Sequence, residues 1–184
     1  MRPADRGTVV FLTGLSGAGK STIADALAAD LAVGGAGRTV EIVDGDVLRA
    51  RETAGLGFDR PSREANVRRA AELAAELARG GGVVLSALIA PFEQARREAR
   101  ELVERSGARF FLVYVSTPLD VAEARDPKGL YRRARAGEIA DFTGIDSPYE
   151  VPADADLVLD TSLTSLRESV RLIRQLIGEA GDPD

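Results

Sequence analysis

The stretch that decides the fold is Gly14-Leu15-Ser16-Gly17-Ala18-Gly19-Lys20-Ser21, which fits the pattern G-x-x-x-x-G-K-S. The run before it, 8–12, is apolar and rich in β-branched residues, which is typical of a strand buried on both faces. The run after it, 21–33, carries apolar residues at helical spacing. Glycines permit a tight turn with inward-pointing N–H groups, and a helix start adds positive partial charge. The pattern predicts a loop that binds the phosphates of a nucleoside triphosphate.

Strands and helices alternate along the rest of the chain. We predict strands at 39–43, 83–88, 109–115 and 157–159, and helices at 62–79, 92–105, 119–137 and 163–178. Ser62 is the expected N-cap of the second helix, and Asp126-Pro127 the expected break in the fourth.

This alternation predicts one α/β domain over 1–184 with the P-loop NTPase fold. Its sheet should be five-stranded and mostly parallel, with helices on both faces. The irregular, proline-bearing region 126–156 is the expected mobile lid.

The chain contains neither cysteine nor histidine. Disulfides, thiolate nucleophiles, Fe–S clusters, Cys/His zinc sites and the Ser-His-Asp triad are therefore excluded. Any general base must be a carboxylate, and a divalent metal must be bound by oxygen, which favours Mg²⁺.

The chain is acidic, with 24 Lys and Arg against 29 Asp and Glu and a net charge of −5. Such a charge argues against non-specific binding to nucleic acid or to an anionic membrane. No apolar run is long enough to span a bilayer, so we expect a cytoplasmic protein.

Two carboxylates follow the second predicted strand, in Asp44-Gly45-Asp46. In a parallel sheet this edge is shared with the phosphate loop. One carboxylate could assist Mg²⁺ or its water while the other accepts a proton from an attacking hydroxyl. The alternative is an Asx turn with two solvated acids.

Basic residues gather in the next part of the chain, at Arg49, Arg63, Asn66, Arg68 and Arg69. Arg63 and Asn66, and less closely Arg69, share one face of the predicted helix. Such a cluster could bind an anionic second substrate, or it could be a solvated helix face.

Two aromatic residues, Phe58 and Phe142, stand in glycine-containing loops outside the periodic core segments. Their rings could stack on a nucleobase, or they could pin the loops to the core. These features fit a small-molecule kinase, whether for a nucleotide, a nucleoside, a sugar acid or an antibiotic. They also leave open a nucleotide-binding regulatory subunit without turnover, which intact Lys20, Ser21 and Asp46 argue against.

From about residue 8 to 161 the chain resembles the adenylylsulfate kinase (APS kinase) family. The matching strings are 14–22, Asp44-Gly45-Asp46-x-x-Arg49, Leu56-Gly57-Phe58, Arg63-x-x-Asn66-x-Arg68-Arg69, Ile89-x-Pro91-Phe92, Arg125-Asp126-Pro127-Lys128-Gly129-Leu130-Tyr131 and Phe142-Thr143-Gly144-Ile145-Asp146-x-Pro148-Tyr149-Glu150. The last two are narrow signatures, whereas many families share the phosphate loop.

The resemblance implies transfer of the ATP γ-phosphoryl to the 3′-hydroxyl of adenosine 5′-phosphosulfate (APS), giving 3′-phosphoadenosine 5′-phosphosulfate (PAPS) and ADP. It implies that Phe58 and Phe142 stack on the acceptor adenine. It further implies that Arg49 and Arg63, with Asn66 beside them, hold the phosphosulfate.

Other roles also come from the resemblance. It places Asp46 near the 3′-hydroxyl, Lys128 near the substrates and Arg125 against the adenine of ATP. The expected catalytic residues are Lys20, Asp44 and Asp46, and the expected Mg²⁺ ligands are Ser21 and Asp44. The expected ATP-binding residues are Gly14, Leu15, Ser16, Gly17, Ala18, Gly19, Lys20, Ser21, Thr22 and Arg125. The expected APS-binding residues are Arg49, Phe58, Arg63, Asn66, Ile89, Lys128, Gly129, Leu130 and Phe142.

The sequence departs from the family pattern at three positions. Ala90 stands where the family often has a serine, so no phosphoserine can form there and transfer must be direct. Ser62 and Ser147 replace aspartates and are expected to affect helix capping and a lid contact. A homodimer and an association with ATP sulfurylase are left open.

Overall fold

The computed structural model describes residues 6–33, 38–51 and 57–178, except for the side chains of 49–51. Within these ranges the strands are β1 (Thr8–Thr13), β2 (Val40–Asp44), β3 (Val83–Ala87), β4 (Arg109–Val115) and β5 (Leu157–Leu159). The helices are α1 (Lys20–Val33), α2 (Gly45–Arg51), α3 (Arg60–Ala78), α4 (Glu93–Arg105), α5 (Leu119–Arg125), α6 (Leu130–Arg135) and α7 (Leu166–Ile177).

All five described strands run parallel in the order β2-β3-β1-β4-β5. The central strand β1 is buried along its whole length, as its continuous apolar sequence predicts. The register sets Val10 opposite Leu85 on one side and Phe111 on the other. The predicted fold class is confirmed.

Alternate residues of β1 supply two separate cores. Val9 and Phe11 pack in a cluster with the alanine-rich face of α3 and with α4. Val10 and Leu12 face the other way and pack with Leu27 of α1 and Ile173 of α7. Helices therefore cover both faces of the sheet. None of the helices in the described part of the chain has the length and apolar character to cross a membrane.

One local prediction is wrong, one short helix was not predicted, and one predicted helix break is confirmed. Ser62 is not the N-cap of α3: the helix begins at Arg60, and the Asp59 side chain caps it by accepting the Ser62 N–H at 2.8 Å. The short helix α2 was missed, because its seven residues are too few for a periodic signal. The helix at 119–137 is indeed broken near Asp126, into α5 and α6.

Candidate active site

A cavity of about 520 Å³ opens at the carboxyl edge of the sheet, where every strand ends. Fifteen of the residues predicted from the sequence line it: Ser16, Gly17, Gly19, Lys20, Ser21, Thr22, Asp46, Phe58, Arg63, Asn66, Ile89, Arg125, Lys128, Leu130 and Phe142. The phosphate loop follows β1, the central strand, so it lies in the middle of this edge of the sheet. Segments that follow strands on both sides of β1 complete the cavity wall.

Glycine geometry shapes the loop between β1 and α1. Gly14 has φ +150°, and a Cβ on it would lie 2.4 Å from the Val115 carbonyl oxygen. Gly17 has φ +74°, a conformation that side chains rarely adopt. The predicted loop residues Gly14, Leu15 and Ala18 contribute backbone to this turn and do not line the cavity.

Lys20 opens α1 and is buried against its own loop. Its Nζ donates to the carbonyl oxygens of Gly14 at 3.0 Å and Leu15 at 2.7 Å. Burial lowers the pKa of Lys20 to about 8; Lys128 lowers it further, while Asp46 and Asp44 oppose the shift. An anionic phosphate in the cavity would favour the charged ammonium and raise this pKa again.

Asp44 accepts hydrogen bonds from two directions. Its Oδ2 accepts the Ser21 hydroxyl at 2.7 Å, and its Oδ1 accepts the backbone N–H of Asp46 at 2.8 Å. Burial raises the pKa of Asp44, but the hydroxyl and N–H donors outweigh it, so the net pKa lies below its ordinary value. The Asx turn proposed as an alternative therefore exists at Asp44, and it positions the carboxylate on Ser21.

The Ser21–Asp44 pair fits a magnesium ion by its chemistry. Both side chains offer oxygen, and Mg²⁺ is usually held by one or two protein oxygens together with substrate phosphates. Among the residues that the structure describes, no cluster of three or more acidic, histidine or cysteine side chains could hold a metal by itself. Any ion here would thus depend on the nucleotide for further ligands.

Asp46 forms an ion pair with Lys128 across the cavity mouth. The side chains are exposed by 65% and 51% respectively, so both can reach a ligand. The pair joins the first turn of α2 to the region 126–156. Gly129, the next residue, does not line the cavity and instead precedes α6 in a left-handed conformation with φ +64°.

Arg63 lies between the two aromatic loops. Its Nε donates to the Phe58 carbonyl at 2.6 Å, and its Nη2 donates to the Asp141 carbonyl at 2.8 Å. Its guanidinium also lies 5.5 Å from the centroid of the Phe58 ring. Asn66 lies one turn further along α3, and it too is buried and lines the cavity.

The remaining residues of the predicted basic cluster do not contribute described side chains to the cavity. Arg68 and Arg69 are solvent-exposed and pair with Glu72, so they are a solvated helix face. The side chain of Arg49 lies outside the described residues. The functional interpretation of the cluster is thus limited, among described side chains, to Arg63 and Asn66.

The two aromatic side chains differ in burial. Phe142 is only 1% exposed and packs edge-on against Tyr131, with ring centroids 5.0 Å apart. Phe58 is half-buried. Both line the same cavity, so Phe142 anchors its loop in a small core and also forms part of the cavity wall.

Comparison with known proteins identifies the family. The model of the family described as adenylylsulphate kinase matches residues 6–160. An adenylyl-sulfate kinase of Paraburkholderia xenovorans is 50% identical over 175 residues, which are 95% of this chain and 95% of that protein. The chain belongs to the adenylylsulfate kinase family. The resemblance inferred from its motifs is confirmed.

A solved structure and a longer relative extend the comparison. The Mycobacterium tuberculosis APS kinase, in complex with AMPPNP and APS, is 43% identical with a TM-score of 0.89, covering 94% of this chain and 98% of that chain. A sulfate adenylyltransferase of Phaeosphaeria nodorum is 48% identical over 176 residues, or 96% of this chain. This adenylylsulfate kinase family member spans only 30% of that longer protein.

Sequence reasoning did not select the residues that hold the family signatures in place. The Tyr131 hydroxyl donates to the Ser16 carbonyl at 2.9 Å and so ties α6 to the phosphate loop. The Asp146 carboxylate accepts the N–H groups of Asp141 and Phe142 at 2.9 and 2.6 Å. Because both residues lie inside the signature strings, the strings themselves were the available signal.

Thr161 was also missed, and it connects Arg125 to the phosphate loop. Its hydroxyl accepts from Arg125 Nη1 at 2.7 Å and donates to the Ala18 carbonyl at 2.8 Å. It follows β5, so its position after a strand at the carboxyl edge was the only sequence signal.

Proposed function

We propose that this member of the adenylylsulfate kinase family transfers the γ-phosphoryl of ATP directly to the 3′-hydroxyl of APS, forming PAPS and ADP. The observation that carries the proposal is that one cavity brings the phosphate loop and Asp46 together with Phe58 and Phe142. The Mycobacterium relative with AMPPNP and APS bound supports the same pair of substrates. A neutral sugar acceptor would need neither the aromatic pair nor Arg63.

ATP binds at the phosphate loop, in the part of the cavity that contains Arg125; we call this part the donor half. The N–H groups of 14–22 surround its phosphates, and Lys20 leaves its loop carbonyls to neutralise the transferring phosphoryl group. Ser21 and Asp44 would hold Mg²⁺, which would supply further positive charge to the phosphates of the nucleotide. Arg125, fixed by Thr161, lies against the adenine.

APS binds in the part of the cavity that contains Phe58, Phe142 and Arg63; we call this part the acceptor half. Phe58 and Phe142 contact its adenine, while Arg49, Arg63 and Asn66 hold the phosphosulfate. Further contacts come from Ile89, Lys128 and Leu130, while Gly129 turns the backbone between Lys128 and Leu130. The support is geometric for the described side chains, since Arg63 connects both aromatic loops.

Asp46 acts at the 3′-hydroxyl. The 3′-oxygen attacks the γ-phosphorus, the bond from that phosphorus to the β–γ bridging oxygen breaks, and ADP leaves with the bond's electrons. The hydroxyl proton passes to the Asp46 carboxylate, which first exchanges its partner Lys128 for the acceptor.

Transfer occurs without a phosphoserine. Ala90 has no hydroxyl to phosphorylate, although it lines the cavity. Ser86 is completely buried in β3, and its hydroxyl has no hydrogen-bond partner. Neither position offers an accessible serine, which supports an in-line reaction between the two nucleotides.

The proposal extends to the setting of the reaction. It takes the domain as one unit over 1–184, region 126–156 as its lid and the cytoplasm as the compartment of the reaction. The 30% coverage of a sulfate adenylyltransferase supports an association with an enzyme that produces APS. A homodimer stays a prediction.

ADP release measured with APS, with a neutral sugar acid and with no acceptor tests the function. We expect release to require APS. Equal release with the sugar acid would favour a different small-molecule kinase. Tight ATP binding without release in any arm would favour a regulatory nucleotide-binding protein.

A further inference from the structure

One wall of the cavity has a strained backbone. Ala90 follows β3 with φ +44°, in the left-handed region that a residue with a Cβ rarely adopts. It is buried and lines the cavity beside Ile89. Such a conformation persists only where surrounding groups hold it.

Arg96 holds this peptide from behind. It lies on α4, only 2% exposed, and does not line the cavity. Its Nη1 donates to the Ala90 carbonyl at 2.8 Å, and its Nη2 donates to the Glu150 carbonyl at 2.7 Å. Glu150 in turn donates its N–H to the Pro91 carbonyl at 2.8 Å. One buried guanidinium therefore fixes both the strained residue and Glu150 within region 126–156.

Tyr149 holds Ile89 through a second chain of hydrogen bonds. The Thr13 hydroxyl donates its single proton to the Ile89 carbonyl at 2.6 Å, so at 2.8 Å it accepts from the Tyr149 hydroxyl. Burial raises the pKa of Tyr149, so the hydroxyl stays protonated as a donor. The Arg96 guanidinium lies 5.8 Å from the centroid of the Tyr149 ring.

We propose that Arg96 and Tyr149 are positioning residues for the acceptor, which hold Ile89 in place and Ala90 in its left-handed conformation without touching either substrate. The inference rests on the proposed function, because the wall matters only if APS binds against it. It explains why the second signature ends in Tyr149-Glu150, residues that lie outside the cavity lining. Loss of either contact should impair APS binding more than ATP binding.

The first test is Arg96→Met, which keeps an unbranched chain and removes both donors. We expect the KM for APS to rise about tenfold, with the KM for ATP within about twofold. The matched control is Arg100→Met, one turn along α4, which removes a contact with Asp156 and a guanidinium 4.9 Å from the Phe110 ring. It should leave both KM values within about twofold of the unmodified chain.

The second test is rescue by glycine. Because glycine adopts φ +44° without strain, Ala90→Gly in the Arg96→Met chain should recover part of the lost APS affinity. Equal rises in both KM values, the same APS-specific rise in Arg100→Met, or no recovery by Ala90→Gly would overturn the proposal.

Tyr149→Phe tests the same proposal if the Arg96→Met variant does not fold. It removes one oxygen, and we expect a rise of about threefold in the KM for APS alone. An unchanged KM for APS would overturn the role of this network. Failure of the proposed function is distinguishable, since the unmodified chain would then release no APS-dependent ADP.

Discussion

The phosphate loop and region 126–156 line the same cavity, but different interactions hold them. The loop is fixed locally, by a buried strand, a helix and glycines at positive φ. Region 126–156 is fixed by bonds between distant parts of the chain, such as Tyr131 to Ser16 and Arg63 to Asp141. A substitution in the phosphate loop should therefore lower kcat. A substitution in the part of region 126–156 that lines the cavity should first weaken acceptor binding.

The largest expected effect is that of Lys20→Ala. Loss of a charge that stabilises the transferring phosphoryl group should cost about 3–4 kcal/mol of transition-state stabilisation, or about 10²–10³ in kcat. Steady-state ADP release gives kcat, and thermal unfolding shows whether the fold survives. An unchanged kcat in a folded variant would show that the loop is not the donor site.

Substitutions of Asp44 and Asp46 should have different kinetic effects. Asp46→Asn removes the proton acceptor and should lower kcat by about 10²-fold, the low end of general-base contributions, because the transition state is loose. Asp44→Asn should instead raise the Mg²⁺ concentration that is needed, since Asp44 contacts Ser21.

A Mg²⁺ titration of both variants is the measurement. Reversed defects would exchange the two roles. Wild-type behaviour in both variants would reduce the pair to the Asx turn alone.

Substitution of the two phenylalanines tests the proposed binding site for APS. Phe58→Ala and Phe142→Ala should each weaken APS binding by ~1–3 kcal/mol, with a much smaller change for AMPPNP. Phe142→Ala should also destabilise the fold by ~3–5 kcal/mol, because the ring is buried against Tyr131. Calorimetric titration with each nucleotide separates these effects. Equal losses for both nucleotides would favour loop anchoring alone.

The smallest expected effect is a pH dependence of ATP binding. Lys20 has a pKa of about 8 without nucleotide, and bound phosphate should raise it. Binding then takes up a proton above pH 8, so affinity is constant below that pH and falls about tenfold per unit above it. AMPPNP titrations at pH 7, 8 and 9 measure this dependence. Lys20→Arg, charged throughout, is the control, and a flat profile in the unmodified chain would contradict the assignment.

Local features were predictable where residue chemistry dictates backbone shape. The phosphate loop follows from glycine spacing, and the parallel sheet follows from alternating strands and helices. The N-cap of α3 is Asp59 and not the predicted Ser62, although both residue types cap helices well. Two candidate N-caps three residues apart cannot be ranked without the backbone path.

Contacts between distant segments were not predictable from pattern. Nothing local shows that Arg63 donates to the carbonyl of Asp141, 78 residues away. Arg96 looks like one more arginine of a charged helix, yet it is 2% exposed. Its role depends on the path of 148–150, which tertiary packing sets.

Phosphorylation of the 3′-hydroxyl of APS is tested most directly by comparing APS with its 3′-deoxy analogue at saturating ATP and Mg²⁺. ADP release and the mass of the acceptor product are followed together. We predict one ADP for each APS consumed, a product heavier by one phosphoryl group, and no release above the acceptor-free rate with the analogue. Equal ADP release from the two acceptors, or release that does not depend on APS, would contradict the assigned reaction.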